Sequence, residues 1–332
     1  MKRYVEMESP ITGGRVIEVY EKERQDFRGE SYEVHAHYYV CEDTGERFTT
    51  SDSPDRALDD LYAQYRNMHG IPFPEEIKGI RERYGLNYRQ ITTVLGFGEN
   101  QYAQYEKGQV PSESNGKMIA AIADKDTMLK MLRSCKDEFT ADEYSYIVSS
   151  VSNSIDAGSE STVLGVLYGR FRPSSLNGYT LFNESKASEL VKMLAVEGCI
   201  SFPSSMNKAT FYADMLHFKR HGRAISGMRY KALQYGPTPY KFGTLYDNID
   251  GLNEVEVIAH DNSATKFLCS SYDITVFSDD EVGVIREVAS KIGGMSVKDI
   301  VDESHKEYAW IEHHELREFI PYTDSVVLNL FT

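Results

Sequence analysis

The sequence predicts a multidomain α+β protein, mainly α, with a small β-rich part first and two mainly helical parts after it. Three observations carry this. At 332 residues the chain exceeds the usual size of one hydrophobic core, so two or three domains are expected. Residues 13–50 alternate polar and apolar with period two, whereas beyond residue 70 apolar residues recur at helical spacing. Proline, serine and glycine punctuate the chain at Pro72, Pro74 and residues 152–162. The expected segments are 1–70, 71–133, 134–176 (a helix and a linker) and 177–332.

Charge sorts the segments. The net charge is −15. Residues 1–70 carry 9 basic and 15 acidic side chains, residues 71–176 carry 12 and 14, and residues 177–332 carry 15 and 22. The middle is least opposed to a polyanion, while the two ends repel nucleic acid and suit a basic protein partner. Cys41, Cys135, Cys199 and Cys269 form no CxxC pair, which argues against a disulfide framework or a closed zinc site and for a reducing cytoplasm. No apolar run approaches the length of a membrane span, and no signal-peptide segment follows Met1-Lys2-Arg3-Tyr4.

In the first segment the best strands are residues 15–20 and 32–40, with turns at Gly29, inside the charged stretch 21–30, and at Gly45. Ser53, Pro54 and Asp55 then open a helix whose apolar face is Leu58, Leu61, Tyr62 and Tyr65 and which ends by Gly70. His35 and His37 share one strand face and read as surface or packing residues. The layout resembles the N-terminal zinc domain of MqsA-type antitoxins, in which one CxxC precedes a Gly-Gly and a second follows a Tyr-rich strand. Here the first pair is expected on Met7-Glu8-Ser9-Pro10, before Gly13-Gly14, and of the second only Cys41 remains. One thiolate makes no tetrahedral site. The resemblance implies a degenerate, zinc-ribbon-like domain without metal.

The second segment reads as five short helices. The first runs from Glu75-Glu76 to Tyr84-Gly85 with Ile77, Ile80 and Tyr84 on one face. Asn87 caps the next, residues 88–95, with Gln90 as its capping-box partner and Ile91 and Leu95 inward. Gly96-Phe97-Gly98 turns into a helix over 100–107 anchored by Tyr102 and Tyr105. Two more follow, around 118–123 and 127–132. Two short helices about a glycine turn are a helix-turn-helix. GLNYRQITTVLGFGENQYAQYEKGQVPS resembles the HTH-XRE repressors, with the EKG that closes their second helix. That resemblance implies operator DNA as a partner, and the near-neutral charge of this segment, which implies weak non-specific binding, leads to the expectation of a homodimer on a palindrome. Asn100, Gln101 and Gln104 are expected toward base edges, and Arg89, Gln90 and Lys107 toward phosphates. Gln104 replaces the arginine common in that family.

Thr140 caps a helix continued by Tyr144, Ile147, Val148 and Val151, with Glu143 as its capping-box residue. Residues 152–162 read as a mobile linker, and the short apolar segment 163–171 suits pairing or docking. In the last segment a helix is expected over 185–198. Another, amphipathic through Phe211, Met215 and Phe218, ends at Lys219-Arg220-His221 and Gly222. An extended piece turned at Ser226-Gly227 follows, then the stiff Tyr235-Gly236-Pro237-Thr238-Pro239, which excludes helix. Strands over 255–259 and 267–269, a Ser278-capped helix, a Ser296-capped helix and the only tryptophan, Trp310, complete it.

Asp214 with Tyr212-Ala213, the Gly222-to-Gly227 turn, Tyr235-Gly236-Pro237, the Ser278 helix and Ser304-His305 with Trp310 together resemble the Panacea domain of bacterial and phage antitoxins. The resemblance implies a mainly helical domain that neutralises a cognate toxin by binding it. Asp214, Gly227, Gly236, Pro237, His305 and Trp310 are then structural, and Arg229, Tyr230, Tyr235 and Tyr240 are the expected partner surface. Asp214 is expected to bond backbone donors or Arg223, and His305 to act as a C-terminal cation or to pack on Trp310. No nucleophile elbow, Walker loop, dinucleotide fingerprint or HExxH is present, so neither an enzyme nor a cofactor is expected. The reading is a cytoplasmic antitoxin that represses its own operon. A proteolytic adaptor and a phage or mobile-element repressor are the alternatives.

Overall fold

In the computed structural model, which describes residues 2–50, 56–154, 162–259 and 262–331, the chain begins with a four-stranded antiparallel sheet. Strands β1 (Lys2–Glu8), β2 (Arg15–Phe27), β3 (Glu30–Cys41) and β4 (Arg47–Phe48) lie in chain order. β2 and β3 form one long hairpin whose register runs from Val16 opposite Cys41 to Phe27 opposite Glu30. Arg28 and Gly29 both take positive φ, as a two-residue hairpin turn requires. The charged stretch 21–30, expected as a turn region, is therefore strand as far as Phe27. Its alternation continues unbroken, and Lys22 meets Glu33 across the hairpin at 2.7 Å.

Helix α1 (Arg56–His69) buries Ala57, Leu61, Ala63 and Tyr65 and stops at Gly70, which has φ of 62°. Leu58, expected on its apolar face, is exposed. Ser53, Pro54 and Asp55, expected to open this helix, lie outside the described residues.

Six helices follow: α2 (Pro74–Arg83), α3 (Tyr88–Leu95), α4 (Gln101–Glu106), α5 (Glu113–Ala121), α6 (Lys125–Ser134) and α7 (Ala141–Asn153). Side chains start most of them. Asn87 caps α3 and forms a capping box with Gln90, Ser112 caps α5, Asp124 caps α6 and Thr140 caps α7. The last two expected helices start earlier than their apolar residues indicate, because Ser112 and Asp124 set their first turns. One apolar core joins all six, with Ile77, Tyr84, Ile91, Tyr102, Ile119 and Leu132 among its fully buried members. Ile147 and Val151 of α7 sit in that same core, so this helix completes the bundle instead of belonging to a separate joint. Glu143 does not close a capping box; its carboxylate takes Arg89 and Gln90 instead. Most of the expected linker, residues 155–161, lies outside the described residues.

The chain resumes with α8 (Val163–Tyr168), α9 (Glu184–Glu197) and α10 (Pro203–His221). Strands β5 (Tyr230–Leu233) and β6 (Gly236–Pro239) pair in a tight hairpin, and a short helix α11 (Phe242–Asp247) follows. A second hairpin joins β7 (Asn253–Ala259) to β8 (Asn262–Leu268). Helices α12 (Asp279–Gly293), α13 (Val297–Ser304) and α14 (Tyr308–Ile311) and strand β9 (Phe319–Ile320) end the fold. The small sheet is ordered β6-β5-β9, so the prolines of β6 sit on an edge, where a missing N–H costs no ladder bond.

α10 is the centre of this part. Residues 205–218 are all buried, ringed by α9, α12, α13 and β6. It is thus not amphipathic, as the Phe211, Met215 and Phe218 spacing had implied. Lys208, Thr210 and Asp214 are enclosed as completely as the aromatics, and Ser205 and Asn207 are buried with them.

Two compact units result: Met1–Leu61 with Val163–Thr332, and Tyr62–Thr162. The architecture is α+β, about half helical, and no helix among the described residues is long and apolar enough to cross a membrane.

Candidate partner-binding site

Asp214 organises the chain leaving α10. Gly222, with φ of 72°, ends the helix in the left-handed conformation. The following loop folds back so that the Ile225 and Ser226 N–H groups each donate to Asp214 Oδ1 at 2.9 Å. The Ser226 hydroxyl donates to Oδ2 at 2.5 Å and the Tyr230 hydroxyl at 2.7 Å. Complete burial pushes the Asp214 pKa up, and the four donors oppose that shift. Arg223 is not a partner; it donates to the Tyr179 carbonyl and lies 3.5 Å from Asp59. A carboxylate with every lone pair directed at its own loop holds structure.

Two glycines are required by close approach. Gly227 has φ of 72°, and a Cβ there would lie 2.6 Å from the Leu181 carbonyl oxygen. At Gly236, with φ of 101°, a Cβ would run into Ser304 Oγ and Lys208 Cε. The β5–β6 hairpin, with Pro237 buried opposite Ala232, is clamped from outside by Trp310, whose indole N–H donates to the Leu233 carbonyl at 2.8 Å. Trp310 is itself stacked with His305 at 4.0 Å and His314 at 4.2 Å. Burial lowers the His305 pKa, so of its two expected roles the structure supplies packing on Trp310.

Residues 206–311 match the family model described as antitoxin SocA-like, Panacea domain. The chain therefore carries a Panacea domain. No curated protein and no solved structure matches it. The match runs from α10 to α14, within the wider stretch 177–332 whose sequence resembles the family.

Two buried charged residues, Lys208 within α10 and Glu307 packed against it, escape the sequence. Lys208 is 1% exposed and forms no ion pair among the described residues, and burial brings its pKa down to about 8. Glu307 is fully buried and accepts from the Tyr212 hydroxyl at 3.0 Å and from the Asn329 and Leu330 N–H groups at 2.7 and 3.1 Å. Nothing in their local sequence marks either as buried.

Of the four residues expected on a partner surface, three are accessible. Tyr235 is 67% exposed at the hairpin tip, and Arg229 and Tyr240 are half-buried. Tyr230 is fully buried on Asp214 and offers nothing to a partner.

The six residues expected at DNA divide similarly. Asn100, Gln104 and Lys107 are exposed at α4, and Asn100 precedes the helix in a left-handed conformation. Gln101 is occupied locally: it accepts from the Gly98 N–H at 3.2 Å and donates to the Tyr105 hydroxyl at 2.7 Å. Gln90 is buried, donating to Glu143 at 3.1 Å and accepting from the Asn87 N–H at 3.0 Å. Arg89 is exposed but paired with Glu143.

In the N-terminal sheet the groups that converge on Cys41 are Ser9, Thr12 and Thr44, not positions 7 and 10. Their hydroxyls, Ser9 first, bring the buried thiol down to about 6, and Thr12 Oγ1 stands 3.3 Å from its sulfur. Ser9 and Thr12 share the spacing of Cys41 and Thr44, and each pair precedes a glycine of positive φ, Gly13 and Gly45. His35 and His37 pair with Asp60 and Glu18 at 2.8 and 3.0 Å. Among the described residues no group of three or more His, Cys, Asp or Glu side chains is placed to hold a metal.

Proposed function

We propose that this chain is the antitoxin of a type II toxin–antitoxin pair, which neutralises its cognate toxin by direct binding in the cytoplasm and represses its own operon. The Panacea match over residues 206–311 carries the first half of the reading. The geometry around α10 is spent on scaffold: Asp214, Glu307 and Trp310 hold loops and strands, which favours binding over catalysis.

Repression rests on the α3–α4 pair. Its Gly96 turn has φ of 65°, and Asn100, Gln104 and Lys107 are solvent-facing at the second helix. We assign base contacts to Asn100 and Gln104 and a phosphate contact to Lys107, on a homodimer bound to a palindromic operator. The matched loops about Cys41 support descent from an MqsA-like zinc module whose remaining ligand positions are now hydroxyls.

Co-expression with the product of the adjacent reading frame tests neutralisation: rescue of growth and copurification are expected, and failure of both rejects the antitoxin reading. Operator binding tests repression: Asn100→Ala with Gln104→Ala is expected to weaken it at least tenfold, and unchanged binding rejects the assignment.

A further inference from the structure

A cationic, aromatic patch lies on the outer face of the β6-β5-β9 sheet. The Arg229 guanidinium sits 3.8 Å from the centre of the Phe171 ring and 5.8 Å from that of Phe319. Arg170 lies over the same Phe171 ring at 4.9 Å, and Lys231 over Phe319 at 4.9 Å. Tyr240 fills the middle, 6.0 Å from Phe171 and 5.4 Å from Phe319, with Arg170 reaching its hydroxyl at 3.4 Å. Among the described residues none of these three cations forms an ion pair, and Arg229 Nε is buried without an acceptor.

Three such cations share one small patch of an acidic chain. Its net charge is −15, and several cations elsewhere in the same unit find carboxylates, as Lys186 does at Glu281, Arg220 at Glu287 and Arg286 at Glu197. No acidic residue lies in the stretches 161–183 and 215–246 that carry these three cations, and ring faces hold them instead. Stacking fixes the plane of a guanidinium and removes part of its hydration, while leaving N–H donors for a bidentate acceptor. The acidic balance of residues 177–332 disfavours an extended polyanion, whose charges would run onto the surrounding surface. A short acidic segment meets only the patch.

We infer that Arg170, Arg229 and Lys231, on their Phe171, Tyr240 and Phe319 platform, dock an acidic segment of the protein partner. This rests on the antitoxin reading for the partner's identity, but the chemistry of the patch does not. It also refines the expectation of a basic partner, which holds for the acidic surface and not for this face.

The test has two arms, both on the full chain. In the first, fluorescence anisotropy compares an Asp/Glu-rich peptide carrying one tyrosine with single-stranded DNA of matched length. The peptide is expected to bind, with affinity falling about tenfold in Arg170→Glu/Lys231→Glu and severalfold in Arg229→Lys, which keeps the charge but loses the planar stack. Arg170 is exposed and Lys231 half-buried, and the melting temperature of the double variant is the control on folding. Unchanged peptide binding in the double variant, or tighter binding of the DNA, overturns the inference. In the second arm, the double variant is expected to lose neutralisation of the adjacent-frame product. If the variant still neutralises, the docking inference falls and the antitoxin reading stands. If the unsubstituted chain itself fails to neutralise, the antitoxin reading falls and the peptide arm alone decides the patch.

Discussion

The helical unit of residues 62–162 and the surroundings of α10 bury chain by different means. In the first, capped helices put Ile77, Ile91, Ile119 and Leu132 into one apolar core, and its large buried donors reach backbone carbonyls, as Tyr102 does at Ile77 and Arg66 at Pro72, Gly108 and Gln109. Around α10, charges are buried: Asp214 and Glu307 each gather several donors, while Lys208 has no ion-pair partner among the described residues. An apolar core of the first kind tolerates repacking. A core with internal carboxylates specifies one path for the loops that bond to them, and losing either side leaves polar atoms stranded.

That contrast is open to measurement. Asp214→Ala is the most damaging change expected, about 4 kcal/mol, because two N–H groups and two hydroxyls lose their acceptor in a dry site. Denaturant melts should show it; a loss under about 1 kcal/mol would erase the difference between the two regions. Gly227→Ala follows at about 3 kcal/mol, from a left-handed φ and a collision with the Leu181 carbonyl.

Lys208→Met is expected to act in the other direction. The folded pKa is about 8 against 10.5 for a free lysine, so below pH 8 the native state carries the full penalty of a buried charge. The penalty fades as pH rises from 8 to 10.5. Melts at several pH values should therefore show a gain of up to about 3 kcal/mol at neutral pH that disappears by pH 10.5. A gain independent of pH would mean that packing, and not charge, sets the effect. The smallest change belongs to the apolar unit: Tyr102→Phe removes one hydroxyl at 2.8 Å from the Ile77 carbonyl and should cost about 1 kcal/mol.

The two regions also differed in how well they could be read. In residues 62–162 the cap residues Asn87 and Thr140 and the inward Ile91, Leu95, Tyr102 and Tyr105 were legible, because capping and helical periodicity act within a few residues. Gln90 was read twice, as capping partner and as phosphate contact, and its burial leaves it the first. Around α10 the same periodicity misled. A helix surrounded on every side has no polar face, so the stripe of Phe211, Met215 and Phe218 was only the bulkier part of a buried cylinder. At the candidate partner site, Arg229, Tyr235 and Tyr240 were nameable from type alone, but Tyr230 was not separable from them until Asp214 claimed its hydroxyl.

Short-range physics was written in the chain itself: the capped helices of the middle unit, the proline-stiffened, non-helical run at Pro237, the left-handed stop at Gly222, the turn at Gly227, and the residues by which 206–311 match the Panacea domain. Partners distant in sequence were decided only by the tertiary fold. Glu307 meets Tyr212 across 95 positions, Arg229 finds Phe171, and Ser9, Thr12 and Thr44 close around Cys41. The reason is one of range. Caps, turns and φ limits are set by neighbours along the chain, whereas burial of a charge or exposure of a tyrosine depends on which surfaces the packed elements leave against each other.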